Sequence, residues 1–434
     1  MAEDKKRNLD GRKENPTDQK DDYFFLREVI KEKPKDKKQV VWKAVGIIAG
    51  AVLFGIVAAF TFAKVLPYFQ PEDETTKVEI PEDVEEIPDA EEVQQEITPE
   101  PTEEPVEEEE KLNLESFREM YQEIMSVAQE PEKAMVIVQG VTSDVDWMNN
   151  SYENEKQMSG VLVADNGKEY FVLTEYRVVD QVERILVTFA DGTTEDAHFV
   201  KQDPGTGLAV IKISKDGVDK KTQQTITVAE LGSSIGIKRG ESVLAIGSPT
   251  GYSGSIAYGM VTSVDNVKTT VDNEYSLFTT DILGDSEGSG VLISLEGKIV
   301  GIMVQSFSMK QDKNVLTAIP ISELKQLIEQ LINNEDLIYL GVRGQDIVSD
   351  LSEKTGIPSG VYVNSVEEDS PAMEAGLQNG DVIVSVKDTK IENLQQLRKA
   401  LDKYKKGDRI TVTAMRKGSE GYVEIVFDVS LGAL

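Results

Sequence analysis

The 434-residue chain contains one histidine, His198, and no cysteine. A serine nucleophile needs a base beside its hydroxyl, most often an imidazole oriented by a carboxylate. Any such mechanism in this chain must therefore use His198. The glycine-rich stretch Gly284-Asp285-Ser286-Glu287-Gly288-Ser289-Gly290 offers two hydroxyls, Ser286 and Ser289. His198 lies in the β-prone run Asp196-Ala197-His198-Phe199-Val200, where it reads as a solvent-facing strand residue. A serine–lysine pair is the other way to activate a hydroxyl, and no lysine stands near that loop in sequence. The absence of cysteine excludes thiol nucleophiles, disulfides and zinc-thiolate or iron–sulfur sites. With one histidine and no Asp-x-Asp-x-Asp-Gly loop, neither a metal site nor a cofactor is expected.

The elements that would position this loop form a β-rich region. Short β-prone runs separated by Gly, Asn and Asp turns follow Ala134, among them Met135–Val138, Gly160–Val163, Tyr170–Leu173, Leu208–Ile213, Ser242–Ile246 and Ile299–Val304. That spacing predicts an all-β barrel or sandwich. A helix over about Ile321–Leu331 closes it, and an amphipathic helix over Leu112–Ala128 precedes it. The last hundred residues change texture to short strands with two helical stretches, a small α+β module.

The β-rich region resembles the chymotrypsin-like protease domain of the HtrA/Deg family over about residues 130–325. The resemblance rests on ordered matches: Leu231-Gly232-Ser233-Ser234, Lys238-Arg239-Gly240-Glu241, Ala245-Ile246-Gly247-Ser248-Pro249, Gly259-Met260-Val261-Thr262-Ser263 and Leu295-Glu296-Gly297-Lys298-Ile299-Val300-Gly301-Ile302. It implies a double β-barrel and a Ser-His-Asp triad, and the triad is where the chain departs. The family's Thr-Asn-x-His-Val-Val turn is here Thr174-Glu175-Tyr176-Arg177-Val178-Val179, so Arg177 holds the histidine slot. The aspartate that opens an Asp-Leu-Ala strand is replaced by Gly207. For the serine slot, counting forward from Asp281 gives Ser289 and counting back from Leu295 gives Gly288. Matching a Gly-Asp-Ser-x-Gly pattern gives Ser286, and Ser289 is preferred. An arginine stays protonated and cannot serve as the base. No catalytic residue is therefore expected.

The last segment resembles a PDZ domain, carried by Tyr339-Leu340-Gly341-Val342, Ser370-Pro371-Ala372, Ala375-Gly376-Leu377 and Gly380-Asp381-Val382-Ile383. The resemblance implies that Tyr339, Leu340, Gly341 and Val342 form a loop binding a peptide carboxylate through the N–H groups of Leu340, Gly341 and Val342. Leu340 and Val342 are expected to line the pocket for the last side chain.

Composition sets the remaining bounds. There are 78 acidic against 46 basic residues, a formal net charge of −32, which argues against nucleic acid as a partner. The uncharged apolar run Ala44–Ala63 is long enough to cross a bilayer, at about 20 residues and about 30 Å as a helix. Lysines crowd its N-terminal side, which places that side in the cytoplasm and the rest outside. The expected order is a mostly disordered cytoplasmic tail over 1–43, a transmembrane helix over 44–66 and an extended acidic, proline-rich stalk over 67–111. A protease-like domain over 112–336 and a PDZ domain over 337–434 follow. This layout predicts a single-pass cell-membrane protein whose partners are C-terminal or extended peptides, and it is compatible with a homo-oligomer. The function expected is peptide-binding, scaffold or quality control without catalysis. The alternatives are an active serine endopeptidase and a holdase chaperone.

Overall fold

The computed structural model describes residues 77–83, 114–145, 151–308 and 314–434. The apolar run Ala44–Ala63 and the tail before it lie outside the described residues. Among the described residues no helix is long and apolar enough to cross a membrane.

Twelve strands build two closed barrels. The first comprises β1 (Met135–Val145), β2 (Ser151–Asp165), β3 (Glu169–Glu175), β4 (Arg184–Thr188), β5 (Thr194–Gln202) and β6 (Leu208–Ser214), closed in the order β1-β2-β3-β6-β5-β4. The second comprises β7 (Ser242–Ser248), β8 (Ser255–Thr269), β9 (Glu274–Leu283), β10 (Ser289–Ile293), β11 (Ile299–Met303) and β12 (Val315–Pro320), closed in the order β10-β11-β12-β9-β8-β7. Closure decides between the two expected all-β forms in favour of the barrel, and it leaves no free edge strand. The sequence shows why the strands face inward as they do. β4 alternates buried and half-buried positions from Ile185 onward, whereas β3 and β6 are buried almost throughout. The core of the first barrel runs on into Leu244, Ile246, Val291 and Ile302 of the second, so the two barrels share an apolar seam. Each fully buried Leu or Ile there contributes roughly 1.5–3 kcal/mol of transfer free energy.

The helix Ile321–Ile332 follows β12 and buries Ile321, Leu324, Ile328 and Leu331 against that core. It also receives residues 77–83. Val78 exchanges two hydrogen bonds with the Asn333 side chain, and Ile80 N–H donates to Glu329 at 2.8 Å. Asp83 accepts from Lys325 Nζ at 2.8 Å and from the Ser322 hydroxyl. This part of the expected extended stalk is instead docked, because Val78 and Ile80 find apolar partners and Asp83 neutralises a lysine that is almost wholly buried. The helix Leu114–Ser126 lies within the expected span, and no residue of it is buried. Its apolar stripe of Leu114, Phe117, Met120 and Tyr121 stays exposed.

The C-terminal module has a second core of its own. Its strands are β13 (Ile338–Tyr339), β14 (Val342–Ile347), β15 (Gly360–Val366), β16 (Val382–Val386), β17 (Thr389–Lys390), β18 (Arg409–Lys417), β19 (Tyr422–Ser430) and β20 (Gly432–Ala433). The main sheet runs β14-β15-β16-β18-β19, which leaves β14 at an edge, while β13 pairs with β20. Asp381 of the Gly380-Asp381 signature is buried and receives two bonds at 2.7 Å from the Arg416 guanidinium, which fixes the turn into β16. Both modules belong to one compact unit.

Candidate functional site

The strand β3 ends in Glu175 and turns through a short 3₁₀ segment, Tyr176–Val178, that presents Arg177. Its guanidinium reaches two carboxylates. Nε donates to Glu175 Oε2 at 2.9 Å, and Nη1 donates to Glu287 of the serine loop. Arg177, set in the histidine slot by the resemblance, is thus a cation held between two anions. Burial pushes the Glu175 carboxyl above the ordinary carboxylate range, and Arg177 pulls it back. Arg177, always protonated, cannot itself accept a proton from a hydroxyl on the neighbouring loop.

Gly207 lies at the start of β6 with φ +76°, its N–H donating to Asp203 O and its carbonyl accepting from Tyr176 N–H at 2.7 Å. It braces the Arg177 turn through the backbone and offers no side chain. A Cβ built there meets open space.

The two serines part company. Ser289 opens β10 and is only 1% exposed. Its hydroxyl accepts from Ser159 N–H at 2.9 Å and pairs with the Ser248 hydroxyl at 2.9 Å. The preferred serine of the sequence reading is thus placed in the interior as a structural hydroxyl, out of reach of a substrate. Ser286 is exposed at the turn, and Gly288 is buried before β10. The backbone donors of this loop are turned inward: Glu287 N–H donates to Asp285 Oδ1 at 2.8 Å and Gly288 N–H to Asp285 O at 2.9 Å. An oxyanion site needs free N–H groups aimed at the substrate, and these two are occupied. His198 is exposed on β5, opposite Lys212 of β6. Among the described residues no cluster of His, Asp or Glu is arranged to hold a metal ion.

The loop between β13 and β14 is different in kind. The N–H groups of Leu340, Gly341 and Val342 converge on a single carboxylate, at 2.7 Å, 2.9 Å and 2.8 Å. That carboxylate belongs to Asp272, at the tip of the β8–β9 hairpin. Burial pushes the Asp272 carboxyl up, and the three donors pull it down. Gly341 has φ +97°, and a Cβ there would stand 2.2 Å from Ser370 Cβ. The glycine is therefore required by the module's own packing, with Ser370 capping the helix Pro371–Ala375. Leu340 and Val342 are fully buried in the module's core, so they support the loop from beneath rather than line an open pocket. Tyr339 is half-buried and pairs with Gly432.

Sequence reasoning missed Glu175, Glu287 and Asp272. Glu175 stands two residues before Arg177, a spacing that signals a turn-bridging pair. Nothing in the local sequence marks Asp272, whose partners lie about seventy residues away.

The trypsin-like peptidase domain family matches residues 158–302 and the PDZ domain family residues 330–426. Among curated relatives, the serine protease Do-like HtrB of Bacillus subtilis (strain 168) is 32% identical over 281 residues, covering 60% of this chain and 59% of that protein. The serine protease Do-like HtrA of the same organism is 32% identical over 302 residues, covering 64% and 66%. The matches thus span about three fifths to two thirds of those relatives' length. Among solved structures, the HtrA-type protease AlgW with decapeptide superposes with a TM-score of 0.53 at 22% identity, covering 72% of this chain and 98% of that one. A trypsin-like double barrel followed by a PDZ domain, with these relatives, places the chain in the HtrA/Deg family.

Proposed function

We propose that this chain is a non-catalytic HtrA/Deg-type protein, tethered to the cell membrane, that binds the C-terminal peptides of other proteins through its PDZ domain as a scaffold or quality-control module. The observation that supports the reading is the ion network Glu175–Arg177–Glu287, which engages the residue that the resemblance sets in the histidine slot. The convergence of three backbone N–H groups on one carboxylate supports the binding half. Backbone donors do not depend on side-chain identity, so this chemistry survives changes that abolish a triad. The peptide named with the AlgW structure points the same way. The tether rests on the Ala44–Ala63 run and the lysines before it, which orient the chain with residues 1–43 inside and the folded modules outside.

The rival is an active serine endopeptidase, which the names of the relatives favour. Casein hydrolysis and fluorophosphonate labelling of the purified chain discriminate the two: neither is expected. Aggregation of an unfolded client in the same preparation tests the holdase alternative. For the tether, protease added to intact cells is expected to remove the folded modules and spare the N-terminal tail. Protection of the PDZ module from that treatment contradicts the orientation.

A further inference from the structure

The carboxylate that fills the PDZ loop is supplied by the chain itself. The hairpin between β8 and β9 turns through Thr270-Val271-Asp272-Asn273, and Thr270 N–H closes it on Asn273 O at 2.9 Å. Asp272 sits at its tip in the left-handed region, with φ +57°, and is 1% exposed. A non-glycine residue holds that conformation only where its surroundings fix it. Here the fixing contacts have a particular form. The side chain accepts all three N–H groups of the loop, and the Asp272 N–H donates to Val342 O at 2.8 Å. One residue thus supplies both a carboxylate for the N–H nest and a main-chain bond to the first residue of β14, an edge strand. Those are the two contacts that the last residue of an added peptide strand makes. Arg398, on the helix Leu394–Leu401, adds a favourable charge to the same carboxylate.

Ordinary interdomain packing does not require this match. A hairpin tip can rest on a neighbour through apolar contact, at less desolvation cost than a buried carboxylate. A cavity of about 450 Å³, lined in part by Lys268, Tyr275, Tyr339, Arg343 and Arg398, lies against the hairpin, so the tip is not sealed on every side.

We propose that Asp272 is an internal ligand of the PDZ carboxylate loop, and that a partner peptide with a free C-terminus binds by displacing it and releasing the β8–β9 hairpin. This rests on the reading of the loop as a peptide-carboxylate site. Released, the hairpin is no longer held to the PDZ module at this point. β9 runs from it directly into the loop Gly284–Gly288, so the two regions are joined by one strand.

The test uses the full chain in detergent micelles and a fluorescein-labelled pool of decapeptides, randomised except for a C-terminal Val and bearing a free carboxylate. The same pool with C-terminal amides is the control. The free-acid pool is expected to bind Asp272→Ala at least tenfold more tightly than the unsubstituted chain, with Asp272→Asn intermediate and the amide pool weak throughout. Equal affinity of the unsubstituted chain and Asp272→Ala for the acid pool, with the amide pool weak, overturns the displacement proposal and leaves the loop reading standing. Equal affinity for acid and amide pools in Asp272→Ala overturns the loop reading, and the displacement proposal with it. Hydrogen exchange on the unsubstituted chain gives a readout that needs no variant. A saturating concentration of acid pool is expected to speed exchange at Asp272, whose N–H is bonded to Val342. Bound peptide with unchanged exchange there contradicts displacement.

Discussion

The Arg177 turn and the Leu340–Val342 loop are built from different parts. The first depends on side chains of particular type. On the proposed reading, arginine in the histidine slot and glycine in the aspartate slot remove the base and its orienting group; the serine loop folds its donors inward on Asp285. The second depends on three backbone N–H groups and on a glycine that the module's own packing enforces. A triad is lost with a few side chains, while a backbone nest lasts as long as the fold around it does. The ion network around Arg177 ties the end of β3 to the serine loop.

The largest effect is expected in an attempt to undo this difference. A variant carrying Arg177→His and Gly207→Asp is expected to remain inactive on casein, at or near the loss on the order of 10⁶ that removing a whole triad produces. Ser289 stays buried and the Glu287 and Gly288 N–H groups stay bonded within the loop, so a new base would meet no oxyanion site. Protease activity appearing in that variant breaks the comparison.

On the other side of the comparison, Gly341→Leu is expected to destabilise the PDZ module by about 3 kcal/mol or more, since overpacking typically costs about 1–3 kcal/mol and a strained positive φ adds to it. Ser370 stands in the way of the new side chain. A melting curve checks this. A folded Gly341→Leu module with normal stability contradicts the packing account of that glycine.

Arg177→Ala removes the cation from a brace. Glu175 retains 10% side-chain exposure and loses its partner, while Arg177 itself is 38% exposed. The expected cost is therefore about 1–2 kcal/mol near neutral pH, below the ~3–5 kcal/mol of a fully buried pair. The sign of the pH dependence follows from burial, which raises the Glu175 pKa in the folded state. A raised carboxyl favours the folded protein when protonated, and the advantage is lost as pH rises through the folded value. The variant's deficit is expected to shrink on acidification, read from denaturation midpoints across pH. A deficit that grows on acidification sinks the brace.

The smallest effect concerns the docked segment. Asp83→Asn leaves Lys325, at 7% side-chain exposure, facing a neutral group. Partial hydrogen bonding by the amide limits the cost to about 1 kcal/mol. Limited proteolysis near residues 77–83 is expected to accelerate without cleavage in the barrels.

Much of this was legible in the sequence because β-branched runs and glycine turns mark strands that face an apolar core. β3, β6, β7 and the helix Ile321–Ile332 lie where periodicity puts them. β9 and β12 were missed. β9 carries Glu274, Ser276, Thr279, Thr280 and Asp281, so its polar residues mask a strand whose alternate face is buried. The departures at Arg177 and Gly207 could be read from position within matching text. Which hydroxyl is accessible could not, because Ser286 and Ser289 differ in burial, a property of how β10 pairs with β7. The exposed stripe of the helix Leu114–Ser126 was visible as a pattern, yet a pattern does not say whether it is covered. The Asp272 contact was illegible for the same reason.

The central claim is that the chain binds without cutting. Purified full chain in detergent, incubated with fluorogenic casein and separately with a fluorophosphonate probe, tests it most directly. The account predicts no turnover and no labelled serine. Turnover that persists through purification, and disappears in a Ser286→Ala/Ser289→Ala double variant, would contradict it.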